Sequence, residues 1–411
     1  MKTLAIFTCL LAIALLTSVA PVQAAEIEPE TGTISYTGNT NPIQFTDINT
    51  GPDSNLYITD KENTDAVVLN PLTGDYKVYF LAVSQDAGDV QPAPNGRIWY
   101  TDNRDQLGVF DPTECSTEYE SCGGNVWTFP KLGINEDIPN IGPLAFDGQG
   151  YGWVGVYAGA IPRLYRVNFT GGANLEYCPY NIENYKTHDI KYFNGGLWFG
   201  DYAGDRILRF DPTTKVMKAW ELGSLAYPAH LAFDIRDGSL WWADTQSSRI
   251  GHLAFGATDT LTFYNIPGGV EPWSVAVQDG MVWYSDQSGK IGRLDPAAAE
   301  APVSTQVNPQ LHGPFTTTCS TLSTALTPGG YFFTSSNLQF TAFNPALVPT
   351  SPQVGWTIYT MPGGSIPFGM AAASGAVFAT DSDISSTNAG KLVRFGVPQE
   401  QYKVFLPLIM R

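Results

Sequence analysis

Four histidines and a recurring set of carboxylates are the residues of this chain best suited to proton transfer or cation binding. His188 stands in Thr187-His188-Asp189 and His230 in Pro228-Ala229-His230. His252 lies in a segment, Ile250-Gly251-His252-Leu253, that reads as structural, and His312 in a loop, Gln310-Leu311-His312-Gly313. Glu271 belongs to Val270-Glu271-Pro272-Trp273, while Asp201, Asp244 and Asp286 close the segments LWFGD, LWWAD and VWYSD. Trp273 adds a flat apolar ring on which a sugar or aromatic group can stack. The sequence has no G-x-S-x-G elbow, H-E-x-x-H pair, phosphate loop or EF-hand loop. The candidate chemistry is therefore cation binding, ring stacking and histidine acid–base work.

The elements that must position these residues are visible as a repeat. LYITD (56–60), IWYTD (98–102), GWVGV (152–156), LWFGD (197–201), LWWAD (240–244), VWYSD (282–286), FFTS (332–335) and VFATD (377–381) are variants of one segment. Their anchors Tyr57, Trp99, Trp153, Trp198, Trp241, Trp283, Phe332 and Phe378 recur every 42 to 54 residues. Such a period, with four short strands per unit, predicts a single all-β propeller of four-stranded antiparallel blades. The anchors predict eight blades, with seven as the alternative. Adjacent side chains of a strand point to opposite faces. The pair Trp241-Trp242 therefore predicts a strand buried on both sides, between two neighbouring blades. A carboxylate at the end of such a strand can accept N–H bonds from its own turn, which gives the repeated aspartates a structural role. Residues 32–37 read as the outer strand of the last blade, so that the N-terminus closes the ring and removes open edges. In an antiparallel blade the second strand ends where the first begins. His188, Asp201, His230, Asp244, Glu271, Trp273 and Asp286 are accordingly expected on one loop face.

The formal net charge of -17 repels a phosphate backbone and excludes nucleic acid as a partner. Residues 1–24 carry Lys2, an apolar run and Val22-Gln23-Ala24, which reads as a secretory signal peptide and predicts an extracytoplasmic protein. No later segment is long and apolar enough to span a bilayer. The propeller is expected over 25–400, followed by an apolar C-terminal strand or tail at 401–411. Cys115 and Cys122 share one loop and are expected to form a disulfide, whereas Cys178 and Cys319 have no evident partners.

The stretches DGSLWWADTQSSRIGHL and DGMVWYSDQSGKIGRLDP resemble the repeat of the virginiamycin B lyase (streptogramin lyase) family. The resemblance spans most of the chain and implies a propeller. It also implies a magnesium ion that polarises an ester while a histidine removes a proton for elimination. In that family a Glu-Pro-His segment supplies one metal ligand and the base. Glu271 matches the ligand, Trp273 stands where the base belongs, and an indole cannot accept a proton. Asp286 occupies the position of an acidic ligand. The family's Pro-His becomes Pro228-Ala229-His230, with His230 displaced by one residue and expected on the other face. Thr187-His188-Asp189 keeps a histidine in register. Aromatic-Asp segment ends such as YTD and WAD are also similar to the Tyr-Trp-Thr-Asp propellers, which are mostly adhesive or receptor modules.

An intact repeat with the base missing predicts an exported, monomeric binding module that takes a small molecule, a glycan or a protein on its loop face. The alternative is a metal-dependent lyase or hydrolase of cyclic esters or lactones, and the third reading is a structural or adhesion module.

Overall fold

The computed structural model describes residues 29–396 except 35–41, 82–86, 103–104, 116–123, 130–139, 159–162, 169–173, 183–184, 300–301, 324, 330, 335–339, 342–354, 362–365 and 382–389. Residues 1–24, read above as a signal peptide, the C-terminal segment 401–411 and Cys122 lie outside the described residues.

Seven antiparallel sheets form one propeller, and no helix occurs among the described residues. In the first blade the strands run Phe45–Thr50, Leu56–Asp60, Asp65–Leu69 and Tyr76–Phe80 from the centre outward. The fifth blade repeats this with Pro228–Phe233, Leu240–Asp244, Arg249–Ala254 and Asp259–Asn265. The seventh takes its inner three strands from Pro367–Ala373, Ala376–Asp381 and Gly390–Phe395. Its fourth is the N-terminal strand Pro29–Ile34, paired antiparallel with Gly390–Phe395. The ring is thus closed by the N-terminus, as the sequence predicts.

The blade count is seven rather than eight. Buried apolar residues fall into seven clusters, and each joins one blade to the next, so no interface is left for an eighth. Trp242 packs with Trp198 and Trp220 of the fourth blade, while Trp241 packs with Val275, Val282 and Tyr284 of the sixth. The paired tryptophans therefore serve two different interfaces, and both are buried.

Phe332, one of the eight expected anchors, belongs to a different device. Between the third strand of the sixth blade, Lys290–Leu294, and its fourth, Trp356–Thr360, the chain leaves the blade and runs around the outside of the ring. Val303–Val307 pairs with the outer strand of the fifth blade, Gln310–His312 with that of the fourth and Ser320–Ser323 with that of the third. Ala325–Gly329 then pairs with the second blade, Tyr331–Thr334 with the first and Phe340–Thr341 with the seventh. Six blades thereby gain a fifth strand from one belt. A disulfide between Cys178 of the third blade and Cys319 of the belt fastens it, supplying the partners that the sequence did not reveal. Cys115 is also disulfide-bonded. His312 lies exposed in a belt strand at the outer edge of the fourth blade rather than in a loop.

His252, in the third strand of the fifth blade, stacks on Trp241 with ring centroids 3.9 Å apart. Burial lowers its pKa to about 4, against the opposing pull of Asp237 and Asp234. The unfolded chain, with an ordinary imidazole near 6.5, binds this proton first as pH falls. Stability is therefore lost from about pH 6.5 down through pH 4, by at most ~1.4 kcal/mol per pH unit for one proton. His252→Phe is expected to keep the stacking and flatten this loss. Urea midpoints at pH 7, 5 and 4 check it, and parallel wild-type and variant curves would refute it.

Candidate functional site

The first strands of the blades line a central channel. In six of the seven, a register shift interrupts the pairing of first and second strands near the channel mouth. Such irregularities re-aim side chains. The shift between Pro228 and Leu231 overturns the parity argument for His230, which lines the same mouth as His188. Trp273 meets both, with ring centroids 4.9 Å from His188 and 5.6 Å from His230. Phe368 of the seventh blade continues the series at 5.3 Å from Trp273. On the other side His188 stacks on Tyr202 at 4.5 Å, and Tyr202 on Tyr227 at 4.7 Å. The result is an arc of rings across the fourth to seventh blades. Its backbone is held from neighbouring blades: Thr245 Oγ1 donates to the Pro272 carbonyl at 2.6 Å, and Ser285 Oγ to the Phe368 carbonyl at 2.9 Å.

Facing the arc, the first, second and fourth blades each place an aspartate at the same point of the first strand: Asp47, Asp89 and Asp189. Asp89 Oδ2 accepts the Leu144 N–H of the next blade at 2.8 Å, and Asp189 Oδ2 accepts that of Leu231 at 2.9 Å. Lys191 Nζ lies 3.1 Å from Asp189 Oδ1 and donates to Asn49 Oδ1 at 3.0 Å, across the channel. Asn49 Nδ2 donates to Asp47 at 3.1 Å and to Asp89 at 2.9 Å. This network partitions the channel. On one side is a cavity of about 260 Å³ lined by Asp47, Asp89, His188, Asp189, His230 and Trp273, with Lys61 and Phe368 also at its wall. On the other side, a cavity of about 630 Å³ opens at the opposite mouth beside Lys191, Tyr192 and Phe233. The larger cavity holds none of the histidines or Trp273, so the candidate chemistry belongs to the smaller one.

Electrostatics follow from this burial. Desolvation lowers His188 to about pKa 3, helped by His230 and opposed by Asp189. Its Nε2 sits 2.7 Å from the Tyr227 hydroxyl, so a neutral imidazole is held in a fixed orientation. Burial and the neighbouring Asp47 push Asp89 up to about 8, against the pull of Lys191 and of the Leu144 N–H. Burial alone would lower the Lys191 ammonium, but Asp189, Asp47 and Asp89 outweigh it, and it lies above the ordinary lysine range.

The other sequence candidates are placed differently. Asp201 accepts N–H groups from Lys186, Ala203 and Gly204 and pairs with Arg206 at 2.8 Å. Asp244 accepts the Tyr227 N–H and pairs with Arg249 at 2.6 Å. Asp286 accepts N–H groups of Ser288 and Lys290, and all three carboxylates are fully buried. Glu271 is exposed and is not among the residues lining the cavity. Among the described residues, the only three or more His, Cys, Asp or Glu side chains close enough to share an ion are Glu176, Cys178 and Cys319. Two of these three are joined as a disulfide. Glu271 and Asp286 are thus not part of a converging donor set that fits magnesium. Asp47, Asp89 and Asp189 were missed. Their signal was FTDI, AGDV and THDI in three first strands, obscured by the louder aspartates that end the second strands.

These features define a seven-bladed propeller with a ring-lined channel mouth. The fold is similar to that of a catalytically inactive virginiamycin B lyase from Staphylococcus aureus, solved with quinupristin. That likeness has a TM-score of 0.60 and 14% identity, and covers 90% of this chain and 100% of that one. A streptogramin B lyase gives a TM-score of 0.60 and 14% identity, over 90% and 98%. The Swd1 β-propeller domain from Myceliophteria thermophila gives 0.57 and 8%, over 90% and 99%. No family model and no curated protein matches the chain by sequence.

Proposed function

We propose that the protein is an exported binding module that takes a small organic ligand at the channel mouth, stacked on Trp273. The observation that carries this reading is the meeting of Trp273 with His188 and His230 at one cavity of about 260 Å³. That volume lies just below the ~300–1,000 Å³ of drug-sized pockets and suits a compact ligand. His188 is poorly suited to proton abstraction. An imidazole held near pKa 3 is a weak base at neutral pH, where efficient general bases titrate close to the working pH. Trp273, at the position where the resembling lyases carry their base, stacks but accepts no proton.

The test is a thermal-shift and calorimetric screen of small ring compounds, sugars and amines against wild type and Trp273→Ala. Losing the ring is expected to weaken any mouth ligand ten- to a hundredfold, matching the ~1.5–3 kcal/mol of a buried large side chain. Undiminished binding by the variant would move the site elsewhere. Ring opening of a streptogramin B by wild type with magnesium, well above a chelator control, would replace the binding reading with the lyase reading.

A further inference from the structure

We propose that the ligand of this mouth is a small organic cation, held with its charged group between the aromatic arc and the carboxylates of the first, second and fourth blades. The inference rests on the binding reading above and names the ligand's chemical class. Two independent arrangements converge on it. The first is the wall: Trp273, Phe368 and the His188 ring line the cavity, and His188 is backed by Tyr202. Aromatic faces attract cations through their quadrupole, most strongly where water is excluded. The second is the charge opposite. Asp47, Asp89 and Asp189 line the cavity, against Lys61 at its wall and Lys191 beneath it. Three carboxylates thus face two ammonium groups, with His188 neutral. Asp89 and Asp189 are buried, with 7% and 5% exposure, so this excess is screened poorly by solvent. A proton on Asp89 relieves it when the mouth is empty. A cation seated against the rings supplies the missing charge and lets that proton leave. A neutral sugar would use the same ring but would leave the imbalance in place.

The probes are choline and its neutral carbon isostere, dimethylbutanol, titrated calorimetrically into the full chain at pH 7. Choline is expected to bind at least tenfold more tightly than the isostere, and Trp273→Ala to reduce choline binding at least tenfold. Asp89→Asn is expected to erase the preference for charge. Asp47→Asn serves the same purpose should the first variant fail to fold. Choline binding is further expected to release a fraction of a proton at pH 7, read as a binding enthalpy that differs between phosphate and Tris buffers. The groups facing Asp89 that could share this proton are Asp47, Asp189, Lys191, His188, His230 and Lys61, and loss of the release in Asp89→Asn assigns it. Equal binding of choline and the isostere, both lost in Trp273→Ala, overturns the cation and leaves the binding reading standing. Absence of choline binding also overturns the cation, while the ring-compound screen judges the mouth separately.

Discussion

Trp242→Ala is expected to lower the unfolding free energy by about 3–5 kcal/mol, the cost of emptying a fully packed indole site. Trp242 is completely buried between the fourth and fifth blades and pairs in register with Gly251 of the adjacent strand. A Cβ added at Gly251 would lie 2.0 Å from the indole, so the ring occupies the space a side chain would take. The same interlock recurs as Tyr100 over Gly108 and Tyr284 over Gly292, each at 2.1 Å. The glycine of these third strands is thus required by the aromatic of the neighbouring second strand. Gly251→Val should accordingly cost about 3 kcal/mol or more, at the upper end of overpacking. In the double variant the valine enters the space the indole vacates, so the loss should be clearly less than the sum of the two single losses. Denaturant unfolding of all four proteins measures the coupling. Strict additivity would mean that ring and glycine are not interlocked.

Asp189→Ala should cost about 2–3 kcal/mol, because it removes the acceptor of a buried N–H and one of several partners of a partly exposed ammonium. The change leaves the Leu231 N–H without its acceptor and Lys191 without its nearest carboxylate. Asp189→Asn, which keeps an acceptor for Leu231, should cost less. Adding Lys191→Met to Asp189→Ala should recover little, because the Leu231 N–H still lacks its acceptor and Asp47 and Asp89 lose the ammonium that faces them. A cost below about 1 kcal/mol for Asp189→Ala alone would show that water reaches the network freely.

Wherever the controlling physics was local, the sequence was legible. Alternation, the tight turns and paired aromatics buried on both faces follow from contacts within a blade or with its neighbour, and they mark the propeller plainly. The aspartates ending the second strands are equally local, because most of their partners lie within the same turn or at the strand entry beside it. What was lost is non-local. A fifth strand on the outside of a sheet alternates like an inner one, so Phe332 passed as an eighth anchor. Cys178 and Cys319 are separated by 141 residues and meet only because the belt passes the third blade. His230 was misplaced because counting parity along a strand assumes that no register shift intervenes, and one lies just there. The channel acids could be read as a pattern, but their convergence depends on the ring.

The belt and the N-terminal strand also set an order of assembly. The first five blades can form as the chain emerges, each from consecutive strands. The sixth must wait for its outer strand until the belt has travelled back past the fifth, fourth, third, second and first. When Phe340–Thr341 arrives at the seventh blade, the three inner strands of that blade still lie ahead in the sequence. Pro29–Ile34, the earliest described strand, pairs on one side with Phe340–Thr341 and on the other with Gly390–Phe395, the last described one. At ~5–20 residues per second of synthesis, that first strand waits roughly 20–70 s for the strand that closes the ring. Contacts this distant along the chain also make closure the slow kinetic step. A chain stopped short of Gly390 therefore has six finished blades and two strands of the seventh, but no ring. Its exposed edges are open to pairing with other chains.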